Sequence, residues 1–236
     1  MIPDTNVDSS EIAKFDAQAR YWWDPNGALK ALHDINGLRL NYVRDRSVLK
    51  GKNVLDVGCG GGIFSEALAA TGAAVTGLDM SEMQLAVARQ HAGDGGLAID
   101  FHRSTVETHA AENPGVYDVV SCMELLEHVP DPGSIVSACG QLVKPGGDLF
   151  FATLNRTFLS FFLAIIAAEY LFRLVPRGTH QYNKFVTPEE LKSWVDREDL
   201  EFVHLTGFSY LPVIRRADYC KYTSVNYLAH ARKPGI

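Results

Sequence analysis

The sequence predicts a doubly wound α/β fold: a mostly parallel seven-stranded sheet, with an N-terminal helical cap before it and an apolar helical insert within its C-terminal part. Three observations carry this. From Gly51 to about Leu154, short apolar runs with the pattern of strands buried on both faces alternate with segments of helical pattern. The first run breaks directly into glycines, Asn53-Val-Leu-Asp-Val-Gly-Cys-Gly-Gly-Gly62, and then into a helix from Ile63. The flanks carry helical spacing at one end and strand-like runs at the other, which suits 236 residues organised as one domain with additions.

In order, the expected parts are a helical cap over 1–50, a cofactor-binding core over 51–155, an apolar insert over 156–186, and a helix with closing strands over 187–236. In the cap, Asp8-x-x-Glu11 resembles a capping box. Ile12, Phe15, Ala19 and Trp22 follow at helical spacing with Trp23 beside them, either as a helix packed on the core or as an aromatic lid over an apolar substrate. A second helix is expected from about Leu38 to Leu49, with Arg39 near its start and able to pair with a ligand carboxylate.

Core strands are expected near 53–57, 74–78, 98–102, 117–122 and 148–153, and helices near 63–71, 81–91 and 133–142. Ligands of such sheets sit outside the carboxyl ends of the strands. Gly58, Asp79, Thr105-Val106 and Met123 all fall at such ends, so one pocket can collect them, although each alone is consistent with simple packing. Lys144-Pro145-Gly146-Gly147 reads as a turn. Thr187-Pro188-Glu189-Glu190 opens another helix, with Thr as cap and Pro at the first position. Glu201–Tyr210 and Tyr222–Ala231 are the two expected closing strands.

The glycine spacing narrows the ligand. A dinucleotide fingerprint places Gly or Ala where this chain has Ile63, and no Gly-Lys-Ser/Thr of a P-loop follows. Asp56-x-Gly58-x-Gly60-x-Gly62 instead resembles the acidic-x-G-x-G-x-G signature of class I, Rossmann-like methyltransferases, which bind S-adenosylmethionine. Gly58 and Gly60 let backbone approach such a ligand closely. Asp79, at the end of the second strand, is placed to accept hydrogen bonds from both ribose hydroxyls. On the same reading, Val106 and Met123 flank the adenine, and Arg39 meets the methionine carboxylate.

A formal charge of −6 argues against a general nucleic-acid binder. Cys59, Cys122, Cys139 and Cys220 are scattered, which suits a reducing compartment and no structural zinc. Met1 to Glu11 has neither the basic nor the apolar region of a secretion signal, so a cytoplasmic location is expected. Phe158 to Ala168 carries no charge and is too short to span a bilayer. It reads either as a core helix or as an interfacial helix edged by Arg173 and Arg177, the second giving peripheral membrane association.

Glu124, Glu127 and His128 lie at i, i+3 and i+4, so on a helical turn they share one face. Two carboxylates and an imidazole there can hold a divalent ion: magnesium or manganese by the oxygens, zinc by the His. The alternatives are a metal-free base or a packing role. A phenolic acceptor needs such help, because ionising a group that titrates near ~10 at neutral pH costs about 4 kcal/mol. A cation offsets that cost, or His128 takes the proton directly, and the methyl group then passes in line from sulfonium to oxygen.

Glu11-Ile-Ala-Lys-Phe15, Tyr21-Trp-Trp-Asp24, Leu38-Arg-Leu40, the glycine run, Cys122-Met-Glu, Leu126-Glu-His-Val-Pro-Asp-Pro132, Leu142-Val-Lys-Pro-Gly-Gly147, Thr153-Leu-Asn-Arg156 and Val175-Pro-x-Gly-Thr-His180 together resemble the ubiquinone-biosynthesis O-methyltransferase family over nearly the whole chain. The resemblance implies methyl transfer to polyprenylated catechols, of 2-polyprenyl-6-hydroxyphenol and 3-demethylubiquinol type, beside a membrane and with a biosynthetic assembly as a candidate partner. It implies that Arg39, Gly58, Asp79 and Met123 contact S-adenosylmethionine, and that Glu124, Glu127 and His128 match a metal-binding motif of eukaryotic relatives. The chain departs from the family at Asn36-Gly37, where Asn-Pro is frequent, and Pro212 to Tyr222 carries no recognised motif. Methylation of another phenol or of RNA ends, and a non-catalytic scaffold, are the competing readings.

Overall fold

A computed structural model of the chain describes residues 6–157, 160 and 182–235. Apart from Ser160, the expected apolar helix over 158–173 lies outside the described residues, as does the Pro-x-Gly-Thr-His180 segment.

Among the described residues, eight strands form one sheet: β1 (Asn53–Val57), β2 (Ala74–Asp79), β3 (Ile99–Arg103), β4 (Tyr117–Met123), β5 (Val143–Leu154), β6 (Glu201–Leu211), β7 (Arg216–Cys220) and β8 (Asn226–Arg232). Their order is β3-β2-β1-β4-β5-β8-β6-β7. The first five run parallel, with Asp56 facing Gly77 on one side and Ser121 on the other. β8 adds antiparallel to β5, and β6 to β8. The expected strand count of seven falls short by β7, which lies in the segment without a motif and pairs antiparallel with β6, Tyr210 opposite Ala217.

Seven helices flank the sheet among the described residues: α1 (Ser9–Asp16), α2 (Lys30–Arg44), α3 (Ile63–Ala69), α4 (Glu82–Asp94), α5 (Val106–Glu112), α6 (Pro132–Leu142) and α7 (Pro188–Arg197). α5, α6 and α7 cover one face, burying Val106, Ile135, Leu191 and Val195 against Leu55, Val120 and Phe151. α2 and α3 cover the other, burying Tyr42, Val43, Phe64 and Leu68 against Val54, Val119 and Phe150. Helices on both faces exclude water from the central strands, which is why those strands read as continuous apolar runs rather than alternating ones.

Four local expectations are corrected. The cap helix stops at Asp16; a 3-10 turn over Ala19–Tyr21 follows, so Trp22 lies beyond the helix rather than on its stripe. The second helix starts at Lys30, not near Leu38, because Ile35, Arg39, Tyr42 and Val43 make one buried face that runs through Gly37. α5 was not expected: it has only 7 residues, and His109 occupies one of its buried positions. Lys144–Gly147 belongs to β5, but the register jumps from Tyr117–Val143 to Val119–Asp148, so the four residues bulge out of the ladder. The capping box of α7 forms as expected, Thr187 accepting from the Glu190 N–H and Glu190 from the Thr187 N–H.

Candidate active site

A cavity of about 360 Å3 opens at the carboxyl ends of β1, β2 and β4. Its floor is Asp56 to Gly60, Asp79 and Met123; α2 contributes Arg39, and the cap closes it with Glu11, Phe15 and Trp22. Every residue expected at the cofactor site therefore comes to one place: Arg39, Gly58, Gly60, Asp79, Val106 and Met123 all line it. The sheet does this automatically, since parallel neighbours end together at one edge.

Asp79 Oδ2 accepts from the Gly60 N–H at 2.9 Å and Oδ1 from the Ser81 N–H at 2.8 Å, so the glycine loop and α4 are tied to one carboxylate. Burial pushes the Asp79 carboxyl up, while those backbone N–H groups oppose the shift. Asp56, below the loop, is fully enclosed and accepts from Ser65 Oγ at 2.6 Å and Ser121 Oγ at 3.0 Å. Burial outweighs both bonds and pushes it up to about 6.

Four buried polar atoms on the cavity's lining residues have no hydrogen-bond partner: the donors Trp22 Nε1 and Arg39 Nε, and the acceptors Asn36 Oδ1 and Asn226 Oδ1. Buried polar groups are normally paired. Unused donors and acceptors in one enclosure fit a ligand that carries both an anionic and a cationic end. The amino acid end of S-adenosylmethionine is such a group, and the glycine loop supplies the flat wall for the rest.

The acidic-imidazole cluster differs from its expected form. β4 ends at Met123, and Glu124 turns the chain through a left-handed backbone, φ 56°, into a 3-10 turn over Leu126–His128. Glu124, Glu127 and His128 therefore do not share one helical face. Glu124 Oε1 accepts from Arg39 Nη2 at 2.6 Å. Glu127 Oε2 accepts from Thr153 Oγ1 at 2.7 Å. His128 Nδ1 donates to Glu11 Oε2 at 3.0 Å, and the ring packs edge-on to Phe15 with centroids 5.0 Å apart.

The three residues do not fit a metal ion as they stand: among the described residues no group of three His, Cys, Asp or Glu side chains is arranged to hold one. Two of them do crowd together. Burial first, and then the neighbouring Glu124 carboxylate, push the Glu127 carboxyl well above the ordinary range.

Glu11, read from the sequence as the acid of a capping box, lies instead beside His128 in the cavity. Its side chain pairs with His128, Lys14 and, at 3.6 Å, Lys184, while Asp8 caps α1 by accepting from the Ser10 and Glu11 N–H groups. Burial pushes the Glu11 carboxyl up, but hydrogen bonds from His128 and Lys14 outweigh it and hold it down at about 2. An ionised carboxylate accepts only, so Nδ1 of His128 carries a proton and Nε2 is the basic nitrogen. The available signal was a charge one helical turn ahead of Phe15, on an otherwise apolar face.

A family model described as a methyltransferase domain matches residues 37–205. The chain is 56% identical over 229 residues to the ubiquinone biosynthesis O-methyltransferase of Sodalis glossinidius, covering 97% of this chain and 92% of the relative. It is 55% identical over 232 residues to the protein of that name from Cronobacter sakazakii, covering 97% and 96%. Among solved structures, magnesium protoporphyrin IX methyltransferase from Synechocystis PCC 6803, with bound SAH, superposes with a TM-score of 0.67 at 18% identity, covering 96% of this chain and all of that one.

Proposed function

The chain belongs to the ubiquinone biosynthesis O-methyltransferase family, and from that premise we propose how its cavity works and on what. It is an S-adenosylmethionine-dependent O-methyltransferase of ubiquinone biosynthesis. Its acceptors are polyprenylated catechols, the 2-polyprenyl-6-hydroxyphenol and the 3-demethylubiquinol type. The donor lies across Gly58 and Gly60, with its ribose on Asp79, its adenine between Val106 and Met123, and its methionine carboxylate toward Arg39.

The observation that carries the chemistry is the Glu11–His128 pair inside the donor cavity. His128 Nε2 takes the proton of the acceptor hydroxyl as the oxygen attacks the methyl carbon. The O–CH3 bond forms, the S–CH3 bond breaks, and S-adenosylhomocysteine leaves. Glu11 stabilises the imidazolium that results and returns no proton of its own. Glu124 fixes Arg39, and holding the two reactants together supplies much of the rate, because the sulfonium is already activated.

The crowding of Glu127 against Glu124 favours a second reading, in which Glu124, Glu127 and His128 would hold a divalent ion (magnesium, manganese or zinc) after rearranging. Such an ion compensates charge at the acceptor oxygen when bound. Binding it through all three predicted ligands requires Glu124 to leave Arg39 and His128 to leave Glu11.

The acceptors are lipids, so we place the enzyme in the cytoplasm, attached peripherally to the membrane through the apolar insert, as one domain and without a nucleic-acid partner. Among the described residues no helix is long and apolar enough to cross a membrane. A biosynthetic assembly is the candidate protein partner. Incubation with S-adenosylmethionine and a short-chain prenyl catechol yields the methoxy product on this account. No turnover, with or without added divalent ions, refutes it. Activity that EDTA abolishes and a metal restores establishes the second reading over the first.

A further inference from the structure

Trp22 sits where the cap meets the glycine loop. Its indole lies so close to the loop that a Cβ on Gly61 comes within 2.4 Å of the ring, and one on Gly60 within 2.3 Å. Gly60 also has a φ of 55°, so two independent constraints hold that position to glycine. The segment that carries the ring is anchored beside it. Trp23 Nε1 donates to the Gly61 carbonyl at 2.9 Å, and Trp23 stacks face to face on His91 with centroids 3.4 Å apart. The Trp22 carbonyl is bonded to His33 Nε2 at 2.9 Å.

Against this fixed background one atom is unused. Trp22 is 7% exposed, it lines the cavity, and its Nε1–H has no acceptor. Arg39, 4% exposed, lines the same cavity and has an equally unpartnered Nε–H, while its Nη2 is occupied by Glu124. Two buried, unpartnered N–H donors on residues that line one cavity suit an anionic acceptor, and the donor molecule carries a single anionic group, its α-carboxylate.

We propose that Trp22 is a cofactor-binding residue whose indole N–H donates to the methionine carboxylate of the bound donor, completing with Arg39 a clamp that spans the cap and the core. The proposal rests on the donor site described above. The cap then has two roles, because Glu11 and Trp22 both belong to it and the segment that orients His128 also touches the donor.

The test is Trp22→Phe, which keeps an aromatic ring against the glycines and removes the N–H. Calorimetry compares S-adenosylhomocysteine with 5′-methylthioadenosine, which lacks the amino acid end. The expected result is about ten-fold weaker binding of S-adenosylhomocysteine, the loss of one hydrogen bond to a charged group, with binding of methylthioadenosine unchanged. An equal loss for both, or no loss for either, overturns the proposal. The chain has three tryptophans, so a second measurement needs no change at Trp22. In 15N-indole spectra of the unaltered protein, assigned with Trp23→Phe and Trp194→Phe, the Trp22 Nε1 proton moves downfield when S-adenosylhomocysteine binds; no shift overturns the proposal. Failure of the unaltered protein to bind S-adenosylhomocysteine contradicts instead the donor site itself.

Discussion

Glu11 and His128 lie 117 residues apart in sequence and 3.0 Å apart in the structure. Their side chains keep only 6% and 11% of their exposure. The pair joins the N-terminal cap to the turn that follows β4, and it decides which imidazole nitrogen is basic. Replacing Glu11 by Gln leaves the volume but offers His128 Nδ1 an amide that donates as well as accepts, so the tautomer is no longer fixed. We expect kcat to fall by about 10²-fold, the size of a general-base contribution, with S-adenosylhomocysteine affinity unchanged. Glu11→Asp should recover part of the rate. Steady-state kinetics beside calorimetry check this; an unchanged kcat for Glu11→Gln assigns the pair to packing alone.

Arg39 and Glu124 are the second such pair, at 2.6 Å. Arg39→Ala removes the charge proposed to meet the donor carboxylate and leaves Glu124 beside Glu127 without its cation. Binding of S-adenosylhomocysteine should weaken at least ten-fold, by about 2 kcal/mol for a lost charge-assisted bond. Glu124→Gln should weaken it less, because the guanidinium remains. Calorimetric titration of both variants gives the order; the reverse order contradicts the assigned roles.

Asp56 provides a test in pH. Its carboxyl is ordinary when unfolded and pushed up to about 6 by burial when folded. Between pH 4 and 6 the folded state therefore holds a proton that the unfolded state has released. Stability from this group is full below the unfolded value and declines as pH rises to about 6, by about 3 kcal/mol. Asp56→Asn removes the titration. Urea unfolding at pH 4.5 and pH 7.5 should show a stability difference between wild type and variant that shifts in favour of the variant at the higher pH. A difference independent of pH contradicts the raised carboxyl.

Gly61 tests the contact of the cap with the loop. Its backbone is unstrained for alanine, so Gly61→Ala acts through the Trp22 ring, 2.4 Å from the added carbon. Overpacking of this kind costs about 1–3 kcal/mol. In a Trp22→Ala background most of that cost should vanish, and thermal unfolding of the double-mutant cycle measures the coupling. Additive effects show that the ring does not rest on the glycine.

Much of this site was legible because its residues carry local rules. A glycine run directly after an apolar strand, an acid at the end of the next strand, and parallel order place Gly58, Asp79 and Met123 together without any tertiary information. What was not legible depends on contacts across the chain. The i, i+3, i+4 spacing of Glu124, Glu127 and His128 implies a shared face only on a helix, and the left-handed backbone at Glu124 removes that premise. Glu11 read as a capping residue because its local pattern is a cap; its real partner is supplied by the tertiary fold. The early start of α2 was not legible because Gly37, a poor helix former, interrupts the pattern between Ile35 and Arg39. β7 was not legible because Arg216–Cys220 is a short, mostly solvated edge strand whose polar–apolar alternation, Arg216-Ala217-Asp218-Tyr219, spans only four residues.

The most direct test of the account is single-turnover methyl transfer by His128→Ala, measured with S-adenosylmethionine and a short-chain prenyl catechol beside calorimetry of S-adenosylhomocysteine. The account predicts that transfer falls by about 10²-fold or more, that the homocysteine product binds as tightly as to wild type, and that raising the pH toward the acceptor's own ionisation restores part of the rate. Transfer at the wild-type rate at neutral pH, with donor affinity intact, contradicts the assignment of His128 as the base.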